Sequence, residues 1–221
     1  MIRKEKIAPG EYYHIFNRGN NKQNIFREEK DWARLLFLIL HLQSPVVIYN
    51  ISNIVSNFIR HRVFNNSKKT LKNILDNRTV ELISFAQMPN HFHLIVKEIH
   101  EGGISQYLQR IQDAYTKYFN IKYGSSGHLF QGPFKAVRIK NNEQLLHLSA
   151  YIHRNPREIK QWYKKEHLYI WSSYQDYISD NRWDDLLKND IILGQFKTPN
   201  QYNDFVKTSG TKLLLDEKHF I

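Results

Sequence analysis

Val80-Glu-Leu-Ile-Ser-Phe-Ala86 and His91-Phe-His-Leu-Ile-Val-Lys97, joined across Met88-Pro89-Asn90, decide how the rest of the chain is read. Both runs are short, apolar and rich in β-branched or aromatic residues, and Pro-Asn between them is a turn signal. They are predicted as two strands of a hairpin. Side chains alternate along a strand, so His91 and His93 leave one face while Phe92, Leu94 and Val96 leave the other. Two imidazoles on one face are within reach of a common ion. Taken alone, such a pair has an ordinary reading as core or surface side chains.

Upstream of the hairpin, Tyr12–Phe16 reads as a strand that runs into the turn Asn17-Arg18-Gly19-Asn20-Asn21. Trp32, Leu35, Leu36, Ile39 and Leu42 then recur at helical spacing, with Glu28 and Glu29 suited to a first turn and Ser44-Pro45 as a stop. Residues 46–79 are less legible. A β-branched stretch at Val46–Ile59 precedes a basic, Asn-rich run at His61–Arg78, and either an inserted helical pair or a basic loop fits.

Downstream, Gly102-Gly103 breaks the chain before a helical stripe of Ile104, Leu108, Ile111, Tyr115 and Tyr118. Gly124, Gly127 and Gly132 mark a loop, Phe134–Lys140 suits a strand, and Asn141 or Asn142 can cap a helix through Leu145, Leu148 and Ile152. The order β-α-β-β-α-β, then α, is that of the split βαβ arrangement. It predicts an α+β, ferredoxin-like (RRM-like) antiparallel sheet with helices on one face. The extra C-terminal helix is then free to carry chemistry.

Hydrophobic residues make up 41% of the 221-residue chain and aromatics 14%, enough for a real core. Without cysteine, disulfides, zinc ribbons and thiol chemistry are excluded, so a metal would need His, carboxylate or amide ligands. The opening residues reach Pro9-Gly10 before any apolar run, and the longest apolar stretch, Leu35–Leu40, is far short of a membrane span. The expectation is a cytoplasmic protein without a membrane partner. A formal charge of +11 is the footprint of a polyanion binder, although an inert basic surface has the same composition.

On the last predicted helix, Tyr151 and Asn155 stand four residues apart and share a face. A nucleophilic phenol and an amide oxygen would project together. The ordinary alternative is a half-buried core tyrosine with an Asn ending the helix, since Pro156 disfavours helical dihedrals at Asn155. Tyr107, Tyr115, Tyr118 and Tyr123 are other candidate phenols. Of these, Tyr115 and Tyr118 lie on or beside an apolar stripe and read as core.

Five strings in order, Tyr12-Tyr-His-Ile-Phe-Asn-Arg-Gly-Asn20, Met88-Pro-Asn-His-Phe-His-Leu-Ile95, Gly127-His-Leu-Phe-Gln131, Tyr151-Ile-His-Arg-Asn-Pro156 and Trp171-Ser-Ser-Tyr174, resemble the signatures of the single-tyrosine HUH (IS200-like) transposases. Within that family they look most like the REP-associated tyrosine transposases. The resemblance covers roughly residues 9–177. It implies a transposase domain over 1–177 with an insertion at about 46–79, and an extension over 178–221 that inherits no role.

For function, the resemblance implies an enzyme that cleaves and rejoins single-stranded or hairpin DNA. Tyr151 would be the nucleophile and would store a 5′-phosphotyrosine. His91, His93 and Asn155 would hold Mg²⁺ or Mn²⁺. Arg18, Lys135, Arg138 and Arg154 flank the presumed site and suit DNA phosphates; a solvated basic face is the alternative. Relatives with this fold often work as dimers, which leaves a homodimer open. His14 and His153 receive no role. The rival functions are a domesticated or inactive DNA- or RNA-binding module, with Tyr12 or Phe16 stacking bases, and a replication-initiator or relaxase-like nickase.

Overall fold

The computed structural model describes residues 6–210. The basic opening and the end of the extension, 211–221, lie outside the described residues.

Four strands, β1 (Tyr12–Arg18), β2 (Val80–Met88), β3 (His91–Glu98) and β4 (Lys135–Arg138), form one sheet in the order β2-β3-β1-β4. Every neighbouring pair is antiparallel. This is the predicted split βαβ sheet. The hairpin turn is short, Pro89-Asn90, and is held from outside: Gly19 N donates to Asn90 O at 2.7 Å and Ile25 N to Pro89 O at 2.9 Å. Gly19 has to be glycine, because a Cβ there would lie 2.2 Å from Gln23 O.

Helices α1 (Glu29–His41) and α4 (Gly103–Tyr123) cover the face formed by Phe92, Leu94 and Val96. Phe92 meets Phe130 edge-on, and Phe130 in turn meets Tyr115 of α4. Tyr115 donates to Ile25 O at 2.6 Å and is core as the stripe suggested, and Tyr107, which the stripe did not include, is also buried and donates to Ile39 O. At the start of α1 the fully buried Asp31 accepts from Lys122, Tyr118 and Tyr123. Burial pushes its carboxyl up, but these donors together hold it below the usual carboxylate range. Tyr118 and Tyr123 are thereby tied to Asp31.

Residues 46–79 form a helical pair, α2 (Ile51–His61) and α3 (Lys68–Asp76), so the basic-loop alternative fails. Ile51, Ile54, Val55, Phe58 and Ile59 keep a helical stripe, and Val55 and Phe58 are buried against the core that includes α1. Burial of that stripe overrides the strand preference of β-branched residues. His41 of α1 donates through Nδ1 to Phe37 O at 2.9 Å and accepts through Nε2 from Asn66 Nδ2 at 2.7 Å, which fastens the α2–α3 connection to α1.

The extra helix, α5 (Asn142–Arg154), packs on the opposite face of the sheet, the face of His91 and His93. Asn141 is its cap, accepting from Gln144 N at 2.8 Å. Trp171-Ser-Ser-Tyr174 runs alongside β2: Gln87 N bonds Trp171 O and Ser173 N bonds Phe85 O, each at 2.9 Å. Beyond it, α6 (Tyr174–Ile178) and α7 (Asp190–Leu193) lead to α8 (Pro199–Thr208), which packs on α5 and α6. No described helix is long and apolar enough to cross a membrane.

Candidate active site

Register decides what joins the two histidines. Phe16 lies opposite His93 and Arg18 opposite His91, and on β4 Lys135 lies opposite Phe16. Directly opposed residues share a face, so His14, Phe16, Arg18 and Lys135 belong to the histidine side of the sheet. His93 is fully buried and His91 nearly so. Burial is the main force holding both imidazoles neutral, taking His91 down to about 4 and His93 well below its ordinary value, with Arg18 adding to both.

Each of these histidines has its Nδ1 occupied. His91 Nδ1 lies 2.7 Å from Asn90 Oδ1, and Asn90 Nδ2 donates to Lys22 O at 3.1 Å, which orients the amide with its oxygen toward the ring. His93 Nδ1 lies 2.9 Å from His14 Nε2, with the two rings stacked. The remaining nitrogen, His93 Nε2, is buried and has no hydrogen-bond partner. A buried ring nitrogen of this kind, protonated or not, is costly unless something meets it.

From α5, the half-buried Tyr151 sets its ring 5.5 Å from His93 and 6.4 Å from His14, edge-on to both. Burial raises its pKa, and a hydrogen bond from Asn155 opposes the rise. Asn155 also hydrogen-bonds His91. The expectation that Pro156 would turn Asn155 out of helical conformation is wrong: Asn155 has φ −50° and ψ −42°. The chain continues into a 3₁₀ turn, Asn155–Glu158, where Pro156 takes an early position that needs no N–H donor. Tyr151 and Asn155 therefore stay on one face, four residues apart.

His91, His93, Tyr151, Asn155 and Arg18 thus converge. Lys135 stands beside them, its ammonium 5.5 Å above the Phe16 ring. Arg138 and Arg154 do not join them. Arg138 lies opposite Tyr13, on the other face of the sheet, and pairs with Glu11 at 2.6 Å. Arg154 donates to Ser209 O, against the segment that follows α8. The base-stacking role weighed for Phe16 also fails, because Phe16 is buried beneath this site. His14 and Asn90, which sequence reasoning left without roles, are the Nδ1 partners of the two histidines. His14 is 79 residues from His93, so only register could have found it, whereas Asn90 is adjacent to His91.

His153, two residues from Tyr151, faces away from this group. It is fully buried, with Nε2 2.8 Å from Ser173 Oγ and 3.3 Å from Ser84 Oγ, and Nδ1 2.7 Å from the Tyr202 hydroxyl. It fastens α5 to β2, to the Trp171–Tyr174 stretch and to α8. Among the described residues no group of three or more His, Cys, Asp or Glu is placed to hold a metal ion. The candidate set is two imidazoles and one amide oxygen, and the nearby third histidine, His14, directs its Nε2 to His93. An amide lies outside such a group.

Residues 48–155 match the family model described as "Transposase IS200 like", a segment that contains His91, His93, Tyr151 and Asn155. None of the curated proteins matches. Among solved structures the chain is similar to a REP-associated tyrosine transposase bound to a REP hairpin, with a TM-score of 0.51 and 17% identity over 86% of this chain and 92% of that one. At that identity the likeness shows the fold. The matched segment, just under half of the chain, is thus similar to the IS200-like transposases, and the fold is that of a REP-associated tyrosine transposase.

Proposed function

We propose that this chain is a metal-dependent single-stranded DNA endonuclease and strand transferase that acts through a covalent 5′-phosphotyrosine on Tyr151. The observation that carries the reading is the meeting of the Tyr151 ring with a pair of neutral histidines, one of which keeps a buried, unpartnered nitrogen. That orphaned Nε2, with His91 and the Asn155 amide beside it, fits a divalent cation, Mg²⁺ or Mn²⁺. When bound, such an ion polarises a phosphate and offsets the charge that develops on it. A neutral donor set binds hard Mg²⁺ weakly, so a DNA phosphate is expected to complete the site.

In the proposed reaction the Tyr151 oxygen attacks phosphorus and forms a Tyr–O–P bond. The P–O3′ bond breaks, the leaving 3′ oxygen takes a proton, and the phenol gives its own proton up. Burial works against that ionisation, and the Asn155 hydrogen bond works for it. Arg18 and Lys135, cations on the same face, would seat the strand through its phosphates. Rejoining is the reverse attack by a 3′ hydroxyl, so no external energy is needed. The similar solved protein is described with a REP hairpin, which supports single-stranded or hairpin-borne DNA as the substrate here. The roles of residues 46–79 and 178–221 and any homodimer stay outside this reading.

The test is covalent capture. An oligonucleotide labelled at its 3′ end, so that the label stays on the fragment carrying the 5′ phosphate, should shift on a denaturing gel with the wild-type protein and Mn²⁺, and Tyr151→Phe should lose the band completely while binding stays within about 1 kcal/mol, since only the nucleophilic oxygen is removed. A band that persists in Tyr151→Phe, or cleavage indifferent to chelator, overturns the proposal. A module that only binds nucleic acid gives no band with any variant.

A further inference from the structure

The two candidate ligand histidines are held in the same way by different partners. Asn90 Oδ1 can only accept, so the 2.7 Å contact assigns the Nδ1–H tautomer to His91 and places its lone pair on Nε2. The orientation of that amide is independently set by Asn90 Nδ2 donating to Lys22 O. For His93 the same question is settled by His14, whose Nε2 is 2.9 Å from His93 Nδ1.

Two arrangements of the His14–His93 proton are available. If His14 donates, His93 must carry its own proton on Nε2, a buried N–H aimed at nothing. If His93 donates, Nε2 carries a buried lone pair, the form in which a ring nitrogen can bind a cation, as in His91. We propose that His14 is a positioning residue: as the acceptor for His93 Nδ1–H, it fixes the tautomer and ring plane in which His93 Nε2 can ligate a divalent cation.

The geometry supports that assignment. His14 is fully buried on β1, it is diagonal to His93 across the β1–β3 ladder, and its ring stacks on His93 with centroids 5.1 Å apart at 20°. The metal half of the proposal rests on the function proposed above, whereas the tautomer half concerns the metal-free protein. Loss of a hydrogen-bond partner behind a ligand histidine typically weakens metal binding 10–100-fold.

The test has two arms. Long-range ¹H–¹⁵N spectra of histidine-labelled, metal-free wild-type protein report the proton on each ring nitrogen, and we expect His93 as Nδ1–H. A protonated Nε2 there overturns the proposal with no variant needed. In calorimetry with Mn²⁺, His14→Phe should bind about 10–100-fold more weakly than wild type, and His14→Gln, which restores an acceptor, should recover most of the loss. Binding by a folded His14→Phe within twofold of wild type also overturns it. Should the wild type bind no Mn²⁺, the metal reading fails, yet the spectra still decide the tautomer.

Discussion

His93 and His153 are both fully buried histidines on the same side of one sheet, and they differ in a single respect. Both nitrogens of His153 have partners, from Ser84, Ser173 and Tyr202. His93 has one partner, His14, and one buried nitrogen with none. A fold gains by satisfying a buried imidazole completely, since each orphaned polar atom costs roughly 1–3 kcal/mol. The complete set therefore reads as architecture, and the incomplete one as a place kept for a ligand. The difference separates the helix anchor from the site residue two positions away.

Substituting both histidines breaks the comparison most sharply. His93→Ala should reduce covalent capture of DNA by at least about a thousandfold while the protein stays folded, because a ligand is lost. His153→Ala should do the opposite. It takes one partner each from Ser84, Ser173 and Tyr202 and opens a cavity, costing about 3–5 kcal/mol in chemical denaturation, with cleavage per folded molecule nearly kept. Equal stability losses in the two variants would remove the distinction.

Acid sharpens it next. Burial takes His153 down to about 3 and His41 to about 4, below the ordinary value of 6.5. The unfolded chain then binds protons that the folded one refuses. This contribution is complete above the unfolded value and is lost as pH falls from 6.5 toward 4 and 3, by up to about 1.4 kcal/mol per unit for each group. Denaturant midpoints should therefore fall between pH 6.5 and 4.5 in wild type, and fall with a shallower slope in His153→Gln.

The smallest effect is thermal. Mn²⁺ at ten times its dissociation constant should stabilise the native state by about 1.4 kcal/mol, a rise of a few degrees in Tm. The rise should vanish in His93→Ala and survive in His153→Gln. A shift retained without His93 would locate the ion elsewhere.

Much of this was legible in sequence because it is local. The hairpin, the shared face of His91 and His93, the four-residue spacing of Tyr151 and Asn155 and the stripe of α4 are periodicities of 2 or 3.6 that need no partner to be seen. The α2 stretch was ambiguous, since its Ile and Val favour strands and only packing near α1 decides for helix. Arg138 and Arg154 looked close to the site along the chain, but alternation sends one to the far face and a hydrogen bond to Ser209 holds the other away.

By itself the sequence determined the order of elements, the residue types able to bind a cation or attack a phosphate, and the face on which each lies within its own element. The tertiary structure alone decided which of the described histidines complete one another. It set His14 behind His93 and His153 beneath α8, and it kept Asn155 helical despite Pro156. The reason is that a hydrogen bond is fixed by distance and direction within a few tenths of an ångström. Strand register and helix docking set those quantities between residues tens of positions apart, whereas periodicity along the chain carries only direction.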